Sequence, residues 1–588
     1  HVAIVYGFFA AIFGGRRSVP ICLCIAIGLF VYALLSEFSP SVTRASVMIF
    51  VHIVAKLTSK RYDLLTGISV AAFALLVFNP LQLFAVGFQL SFLAVLLLAF
   101  ALPFADRFIG FRDRRTGKEI SKPELVVRGR GDIGRAFAQK AARAFVPLLV
   151  IQIGAAIMIA YTFNYISISG LALNIPVVAV SSLIIPVGIL MIPLAVLSGL
   201  GVSVLSPFAN ALFAVLARIA ESLLNAITRL TEAADALPFS HFSTVSPPAQ
   251  WLFLFYGLLF FGLSETCGLL VARRCGKSVL RFCAGLALAV LLTLTSPVCV
   301  RDKSDLVFAD VGQGDCLHIR TPDGRNYLID GGGQADYDVG KNVLLPYLLK
   351  NGVRKLDGVF ISHLHTDHYK GIRELSFLMP IERMFLYEGN RVRADDVIEG
   401  SAFSKGDLIC LAQGDSAEIG KGVRLNVLYP PRASDEAYAG MFGEGEDENK
   451  TSLLMSLDYE GVTVLMTGDL GEEGETEILR ALRASETDVF EAQAGEETTT
   501  ALKSTILKVG HHGSKTSTGL PFLRAADPAI AVIQVGRNTF GHPTAEVLEK
   551  LREHDIMTYR NDLAGAVTFD IEKGQIIEIS TVSRLQTD

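Results

Sequence analysis

The first 300 residues follow a pattern of long apolar segments separated by short polar ones. A helix needs about 20 consecutive apolar residues to cross the hydrocarbon core of a bilayer. The segment 193–226 is long enough to form two pieces. The pattern predicts a polytopic α-helical membrane domain over residues 1–300 with roughly nine to eleven crossings, at about 1–14, 19–35, 43–57, 63–78, 85–103, 145–162, 170–191, 193–226, 252–272 and 282–299.

From about residue 304 the pattern changes to short runs in which every second position is apolar, with turn residues between the runs. Runs of this kind predict β-strands, here at 306–311, 316–320, 326–330, 356–361, 424–429, 452–458, 462–467, 504–509 and 529–535. Residues 342–351 predict a helix. Strands that alternate with helices indicate a layered α/β domain, which we place at residues 301–588.

The composition agrees with an apolar half and a soluble half. Of the 588 residues, 51% are hydrophobic and 19% are charged, with a mean hydropathy of +0.44, which is too apolar for an ordinary soluble enzyme. The net charge of −5 averages two different halves and identifies no partner. None of the eight cysteines forms a C-x-x-C pair, so we interpret them as apolar packing residues. The sequence begins at His1 inside an apolar run, from which we expect a truncated start.

The charges of the loops predict an orientation. Eleven lysines and arginines against five acidic residues give the segment from Asp106 to Arg143 a net charge of +6. Positive loops stay on the cytoplasmic side of a membrane, and the basic stretches at 16–17, 60–61 and 273–281 are expected on the same side. The last span then runs outward. We therefore expect an inner-membrane protein whose soluble half is extracytoplasmic.

Two features of the apolar half leave a choice between a transport path and ordinary helix packing. Proline and glycine interrupt residues 174–188, which predicts a broken helix of the kind that lines a cavity or packs against protein. Four polar side chains lie in or beside apolar segments, where such groups usually face the interior of a bundle: Arg44, His52, Gln89 and Glu221. Arg44 is close enough to a helix start to reach the membrane surface instead.

The segment H-L-H-T-D-H at 363–368 contains three of the eleven histidines. It follows the apolar run 356–361, which reads as a buried strand. Imidazole and carboxylate groups crowded into one turn after a strand are typical of a divalent metal site. The candidate ligands are His363, His365, Asp367 and His368.

Further candidate ligands follow other predicted strands. Asp469 follows 462–467, His511 and His512 follow 504–509, and His542 follows 529–535. All of them can converge on one edge of a sheet sandwich, where Asp469 can bridge two ions. A set of histidines and carboxylates without thiolates accepts Zn²⁺ or Mn²⁺. Two such ions can clamp a phosphodiester, and His512 or His542 can bind phosphate or carry a proton.

These motifs resemble a known family. The order H-x-H-x-D-H, then T-G-D at 467–469, then a strand-end histidine is similar to the metallo-β-lactamase fold, an αββα sandwich. Within that fold, D-V-G-Q-G-D at 310–315, L-I-D-G-G at 328–332 and H-H-G-S at 511–514 resemble the C-terminal domain of ComEC-type DNA-internalisation competence proteins. In the apolar half, F-S-P-S-V-T-R-A at 38–45 and G-F-Q-L-S-F-L-A at 87–94 resemble that family's competence domain. We expect the family's usual N-terminal region, with its OB-like domain, to be missing before His1.

The resemblance implies two divalent ions, Mn²⁺ or Zn²⁺. The ligands of the first would be His363, His365 and Asp469. The ligands of the second would be Asp367, His368, Asp469 and either His511 or His512. We prefer His511 because it is nearer the strand end.

The resemblance also implies roles around the ligands. Asp330, Asp315 and Asn449 would support the metal ligands through hydrogen bonds, and Asp367, His512 and His542 would take part in catalysis. The wider fold supplies a further metal histidine between the H-x-H-x-D-H motif and the bridging aspartate, but this sequence has none between 368 and 469. Asn449 lies in the segment that resembles the corresponding part of ComEC-type proteins.

The function implied is DNA uptake during natural transformation. The membrane half would be a channel for single-stranded DNA, and the soluble half a metal-dependent phosphodiesterase or deoxyribonuclease that degrades the strand not imported. Its partners would be DNA, membrane lipid, other DNA-uptake proteins and further copies of the chain. The alternative is a membrane-anchored metallohydrolase for a small phosphoester or ester. One span would suffice for an anchor, and the sequence predicts about ten. A second alternative, a channel with a degenerate metal domain, conflicts with the intact ligand motif.

Overall fold

The computed structural model describes residues 2, 4–7, 19–60, 62–109, 130–199, 205–237, 240–264, 305–432, 448–487 and 501–582. The chain divides into two compact units, His1–Ser296 and Pro297–Asp588, called here the helical unit and the sheet unit. The predicted span at 282–299, most of the span at 1–14 and the middle of the basic loop lie outside the described residues.

The helical unit contains long apolar helices. It also contains two short antiparallel strands, β1 (Tyr165–Ser167) and β2 (His241–Ser243), which pair with each other. The described helices are α1 (Val19–Leu35), α2 (Pro40–Leu57), α3 (Leu64–Phe78), α4 (Val86–Ile109), α5 (Arg130–Phe163), α6 (Gly170–Gly199), α7 (Leu205–Asp235) and α8 (Ala249–Leu263).

Five of these helices are long and apolar enough to cross a membrane, judged by length and composition. The qualifying stretches are Pro40–Leu57, Val86–Ala105, Phe145–Phe163, Ala172–Gly199 and Pro207–Asp235. The apolar helices α1, α3 and α8 are shorter. This confirms the prediction that the N-terminal region is helical and contains several apolar helices long enough to cross a membrane.

The prolines of α6 do not break it, so the predicted interruption at 174–188 and the predicted boundary near residue 192 were wrong. The helix continues through Pro176, Pro186 and Pro193 to Gly199. A proline removes one backbone N–H and crowds the preceding turn, but helices at membrane depth tolerate this when neighbouring groups satisfy the freed carbonyl.

The polar side chains of the helical unit differ in their surroundings. Arg44 is buried, and its guanidinium carbon lies 5.7 Å from the centre of the Phe92 ring. His52 packs edge-on against Tyr62, with ring centres 5.0 Å apart. Gln89 and Glu221 lie on α4 and α7, and Glu221 is exposed. Arg44 is therefore held by packing and does not reach out to a surface.

The strands and helices of the sheet unit alternate along the chain. The predicted helix at 342–351 is present as a π-helical turn, Gly340–Leu344, that continues into a short α-helix. The strands are β3 (Asp305–Phe308), β4 (Leu317–Arg320), β5 (Asn326–Ile329), β6 (Gly358–Phe360), β7 (Met384–Tyr387), β8 (Leu408–Leu411), β9 (Ser416–Gly420), β10 (Val423–Tyr429), β11 (Leu454–Tyr459), β12 (Val462–Met466), β13 (Ile506–Lys508), β14 (Ile530–Ile533), β15 (Met557–Arg560), β16 (Val567–Glu572) and β17 (Gln575–Thr581). The helices are α9 (Leu345–Lys350), α10 (Thr366–Ser376), α11 (Ala394–Ile398), α12 (Glu472–Thr487), α13 (Leu520–Ala526), α14 (Ala545–Glu553) and α15 (Asn561–Ala564).

These strands form two mixed sheets that pack face to face. One has the order β17-β16-β3-β4-β5-β6-β7-β8, and the other has the order β15-β14-β13-β12-β11-β10-β9. Buried side chains from both inner faces, such as Phe308, Phe360, Leu457 and Val464, form the central core. Because β10 alternates buried and more exposed positions, its apolar face fills that core while the other face points away.

Helices cover the outer face of each sheet. On one side, Leu348 of α9 and Leu375 of α10 belong to a cluster with Leu328 of β5. On the other, Ile478 of α12 and Val547 of α14 belong to a cluster with strand residues such as Leu507. The layers are thus helix, sheet, sheet and helix, which confirms the predicted αββα fold class.

Candidate metal centre

The H-L-H-T-D-H segment connects a buried strand to the start of a helix. The strand β6 ends at Phe360, and α10 begins at Thr366 with His365 as its N-cap residue. Because Asp367 and His368 lie in the first turn of α10, the segment turns back and presents its side chains together. His363 and His368 are completely buried, whereas His365 and Asp367 are partly exposed.

The remaining candidate ligands come from the other sheet. Strands β12, β13 and β14 are parallel, so the residues that follow them meet at one edge. Asp469 follows β12, and the turn Gly510–Gly513 follows β13. Within that turn, His511 and His512 have left-handed backbone conformations, with φ angles of 48° and 52°. Each such residue costs about 1 kcal/mol or more, and strain of this kind concentrates at functional sites.

Four side chains from both sheets form one group of potential metal ligands, which we call the four-donor group. It consists of Asp367, His368, Asp469 and His512. His368 Nε2 lies 3.3 Å from Asp469 Oδ2. His512 Nε2 lies 3.2 Å from Asp367 Oδ2 and 3.5 Å from Asp469 Oδ2.

A second group, the three-donor group, shares one carboxylate with the first. It consists of His363, His365 and Asp469. His363 Nε2 lies 3.1 Å from His365 Nδ1 and 3.9 Å from Asp469 Oδ2. Asp469 is therefore the residue placed to contribute to both groups.

The structure distinguishes the two neighbouring histidines of the turn. His512 is buried and belongs to the four-donor group. His511, the residue preferred from the sequence, is more exposed, and its Nε2 lies 3.8 Å from Asp469 Oδ2. His512 is therefore the better-placed candidate ligand.

Hydrogen bonds orient the histidines of the four-donor group. Asp330 Oδ2 lies 2.9 Å from His368 Nδ1, and the same carboxylate accepts the backbone N–H and the hydroxyl of Ser362. His512 Nδ1 lies 2.8 Å from the carbonyl oxygen of Gln534. Since a carbonyl can only accept, His512 Nδ1 carries the proton and Nε2 is directed at the carboxylates. A carboxylate or carbonyl behind a histidine is the usual support of a metal ligand.

Lys508 is a functional candidate that our sequence reasoning missed. Its ammonium is buried, forms an ion pair with Asp315, and donates to the carbonyl oxygen of Gly468 at 2.9 Å. It also lies 3.7 Å from Asp469 Oδ1. The signal in the sequence was a single lysine at the end of an otherwise apolar strand.

Asp315, Asn449 and His542 lie around these groups. Asp315 Oδ1 is 3.3 Å from His512 Nδ1. Asn449 lies in the turn Glu448–Thr451, just before Ser452, whose hydroxyl accepts the backbone N–H of Asp469. The ring of His542 lies 5.6 Å from that of His511 and is partly exposed.

The charges of the centre shift its pKa values in opposite directions. Burial alone would lower the pKa of His512, but Asp469 and Asp315 outweigh burial and raise it to about 10. Asp469 and Asp330 raise the pKa of His368 well above its usual value in the same way. Burial alone would raise the pKa of Asp469, but His512 and His368 hold it well below its ordinary range. The carboxylates therefore create a field that favours positive charge.

The donor set fits a divalent cation. Within the described part of the chain, His368 Nε2 and Asp469 Oδ1 are buried and have no hydrogen-bond partner, which is unusual for polar atoms in a protein interior. Nitrogen and carboxylate donors converge, and the surrounding charge attracts a cation that would displace the histidine protons. The residues present are thus those of a metal centre.

Comparisons with known proteins agree with both units. A competence-protein family model matches residues 1–266, and a metallo-beta-lactamase superfamily model matches residues 309–537. ComE operon protein 3 of Bacillus subtilis is 27% identical over 571 residues, which cover 94% of this chain and 64% of that protein. Competence protein ComA of Neisseria gonorrhoeae is 28% identical, over 50% of this chain and 36% of that protein. Recombination protein 2 of Haemophilus influenzae is 26% identical, over 44% of this chain and 28% of that protein.

The chain spans less than two thirds of the length of each of these relatives. The superfamily match and the donor groups together support a metal-dependent hydrolase. The competence-protein match and the five long apolar helices support a location in the membrane.

Proposed function

We propose that this chain is a competence protein that takes up DNA during natural transformation, because its two units match a competence-protein model and a metallo-beta-lactamase superfamily model and it is similar to ComE operon protein 3 over 94% of its length. Residues 1–300 form the path for single-stranded DNA. Residues 301–588 form a phosphodiesterase that degrades the strand not imported. A charged polymer cannot cross hydrocarbon, so the path is hydrated and lined by protein, from one chain or several.

The observation that carries the hydrolase proposal is the pair of donor groups that share Asp469. We assign one divalent ion, Mn²⁺ or Zn²⁺, to each group, with His512 as a ligand of the four-donor group. When bound, such ions supply positive charge that neutralises phosphate and stabilises the negative charge developing during displacement at phosphorus. A polymer with one negative charge per phosphate is a suitable substrate for a centre of this kind.

The chain's own residues position the substrate. Asp330 and the Gln534 carbonyl keep His368 and His512 in fixed orientations, so the donor atoms need no rearrangement when substrate arrives. His542 lies beside His511 on the exposed side of the centre. Its proposed role is to contact the phosphate or to hand a proton to the leaving oxygen.

The hydrolase proposal is tested with the full chain in lipid nanodiscs. Labelled single-stranded and double-stranded DNA are incubated with it and Mn²⁺, beside a variant in which His363 and His368 are both replaced by alanine. We expect cleavage by the wild-type chain only. Absence of cleavage by wild-type protein with metal confirmed bound would refute the nuclease, and cleavage of a small phosphodiester alone would favour the small-substrate hydrolase.

The membrane proposal is tested in cells. We propose that the sheet unit is extracytoplasmic, so a reporter that is active only outside the cytoplasm, fused at the C-terminus, is expected to be active. Activity of a cytoplasmic reporter at the same position would overturn this orientation. Normal DNA uptake by a strain that lacks the gene would overturn the role in uptake.

A further inference from the structure

The loop at 536–544, which follows β14, is fixed at both ends to loops of the metal centre. The backbone N–H of Gly536 donates to Gln313 Oε1 at 3.3 Å. The backbone N–H of Thr544 donates at 2.9 Å to the carbonyl oxygen of Gly513, which ends the turn containing His511 and His512. The loop therefore has a defined position relative to the donor groups.

Asn538 holds the interior of this loop in one shape. Its Oδ1 accepts the backbone N–H groups of Phe540 and His542, both at 3.1 Å. Its Nδ2 donates to the carbonyl oxygens of Gly536 at 2.9 Å and His542 at 2.8 Å. Four hydrogen bonds from one side chain pre-organise the tip of the loop, so ordering it on binding costs little.

The tip presents a phenyl ring to solvent. Phe540 is 72% exposed. Its ring lies 5.9 Å from that of His542, which lies 5.6 Å from that of His511. His511 in turn lies 3.8 Å from Asp469. An isolated exposed apolar side chain is common, but this one ends a row of three aromatic rings that begins at the metal centre and is held by a braced loop.

Two exposed basic residues lie close in the sequence to Phe540 and His511, and their charge suits an anionic ligand. Arg537 lies three residues before Phe540 and Lys515 four residues after His511, and both are exposed. Exposed cations and exposed aromatic rings are the two features by which proteins hold single-stranded nucleic acid, with the bases stacked and the backbone neutralised.

We propose that Phe540 is a stacking platform for an unpaired base of the polymer whose phosphate lies in the metal centre. This inference rests on the proposed phosphodiesterase and adds that its substrate is single-stranded. A base can stack on the ring only if it is not paired within a double helix. Stacking on a phenyl ring requires an aromatic base and no particular sequence. The ring is therefore a binding contact that selects single strands, separate from the groups that act on phosphate.

The test measures binding separately from cleavage. The full chain in nanodiscs with Mn²⁺ is titrated with a phosphorothioate oligonucleotide, which resists hydrolysis, and with one of equal length that lacks bases, at one fixed salt concentration. Phe540→Ala is expected to weaken binding of the base-bearing strand roughly tenfold and to leave the abasic strand unchanged. Phe540→Leu should behave like alanine, and Phe540→Trp should restore binding.

Phe377 provides a matched control because it is an exposed phenylalanine, 62% accessible, outside the metal centre. It follows the last residue of α10, whereas the metal ligands lie at the start of that helix. Phe377→Ala should bind both strands like the wild type. Unchanged metal content shows that the Phe540 variants keep their fold. Equal losses on both strands, or no loss on either, would overturn the platform. Ring-dependent binding without cleavage of ordinary DNA would support the platform while refuting the nuclease, and no binding of either strand by wild-type protein would overturn both.

Discussion

The four-donor and three-donor groups share Asp469 but differ in their support. In the four-donor group, His368 and His512 are buried, and each has its Nδ1 beside an acceptor, the carboxylate of Asp330 and the carbonyl of Gln534. In the three-donor group, His363 is buried and its Nδ1 lies 3.1 Å from the hydroxyl oxygen of Ser362, whereas His365 is partly exposed and its Nδ1 faces His363. Affinity for a metal depends on the number of donors and on how firmly they are oriented. The comparison predicts a tighter site at the four-donor group.

Removal of the Asp469 carboxylate should have the largest effect on metal binding and hydrolysis, because both donor groups contain it. In Asp469→Asn, both groups lose their common charged donor, and we expect neither to retain an ion after dialysis. The loss of several kcal/mol of transition-state stabilisation corresponds to a fall of about 10³-fold or more in phosphodiester hydrolysis. Elemental analysis and rate measurements check both effects.

Asp562 of α15 is partly exposed and pairs with Arg560 at the end of β15, and it gives the control Asp562→Asn, which should keep full metal content and activity. Retention of one ion by Asp469→Asn would show that the groups do not depend on the same carboxylate.

Breaking the buried ion pair between Lys508 and Asp315 should have the next largest effect. Lys508→Met removes the ammonium that pairs with the buried carboxylate of Asp315, and breaking a buried ion pair costs about 3 kcal/mol or more. That corresponds to a roughly hundredfold larger population of the open state of the surrounding backbone, and so to faster hydrogen exchange. Hydrogen exchange of the amides of β12 and β13, followed by mass spectrometry in the full chain, measures it.

Replacing both partners, as in Lys508→Met with Asp315→Leu, should restore much of the protection, because no unpaired charge remains. Unchanged exchange in the single variant would mean that Lys508 does not support this side of the centre.

The sequence predicted the site better than the helical unit for physical reasons. Metal ligands must be histidines or carboxylates at strand ends, so His363, His365, His368 and Asp469 stand out among apolar residues. Lys508 was missed because its role depends on a partner nearly 200 residues away. Six strands were also missed: β7, β8, β9, β15, β16 and β17. Among them, β9 is partly polar and β17 is mostly exposed, so neither gives the pattern of a buried strand. In the membrane-spanning segments almost every position is apolar, so the sequence did not reveal that α6 continues through its prolines.

A smaller effect is expected from the ionisation of Glu475, which should lower the stability of the turn that follows His512. This buried carboxyl accepts the backbone N–H groups of Thr518 and Gly519 at 2.6 and 2.7 Å. Burial raises its pKa to about 7, against an ordinary value of 4.5. The folded state therefore holds the proton more tightly than the unfolded state, so stability is greatest below pH 4.5 and is lost as the pH rises through about 7. Between pH 5 and 8 we expect a loss of about 2 kcal/mol.

The measurement is protection of the Thr518 and Gly519 amides against hydrogen exchange, corrected for the intrinsic effect of pH. Glu475→Gln should remove most of the pH dependence, whereas Glu473→Gln, a change at a neighbouring exposed position of α12, should retain it. Equal pH profiles in all three proteins would show that Glu475 is not the titrating group.

The smallest effect should follow from a substitution that removes the negative charge of Asp330 but keeps its hydrogen bond to His368. Asp330→Asn keeps an oxygen that can accept from His368 Nδ1, but the neutral amide orients the ring less firmly and no longer raises its basicity. We expect metal affinity at the four-donor group to fall by about tenfold, the lower end of the range for such changes. The three-donor group should lose less affinity, because Asp330 reaches it only through Ser362. A two-site Mn²⁺ titration separates the two constants. A fall confined to the weaker constant would reverse the comparison, because Asp330 would then support the site that we describe as the less firmly held.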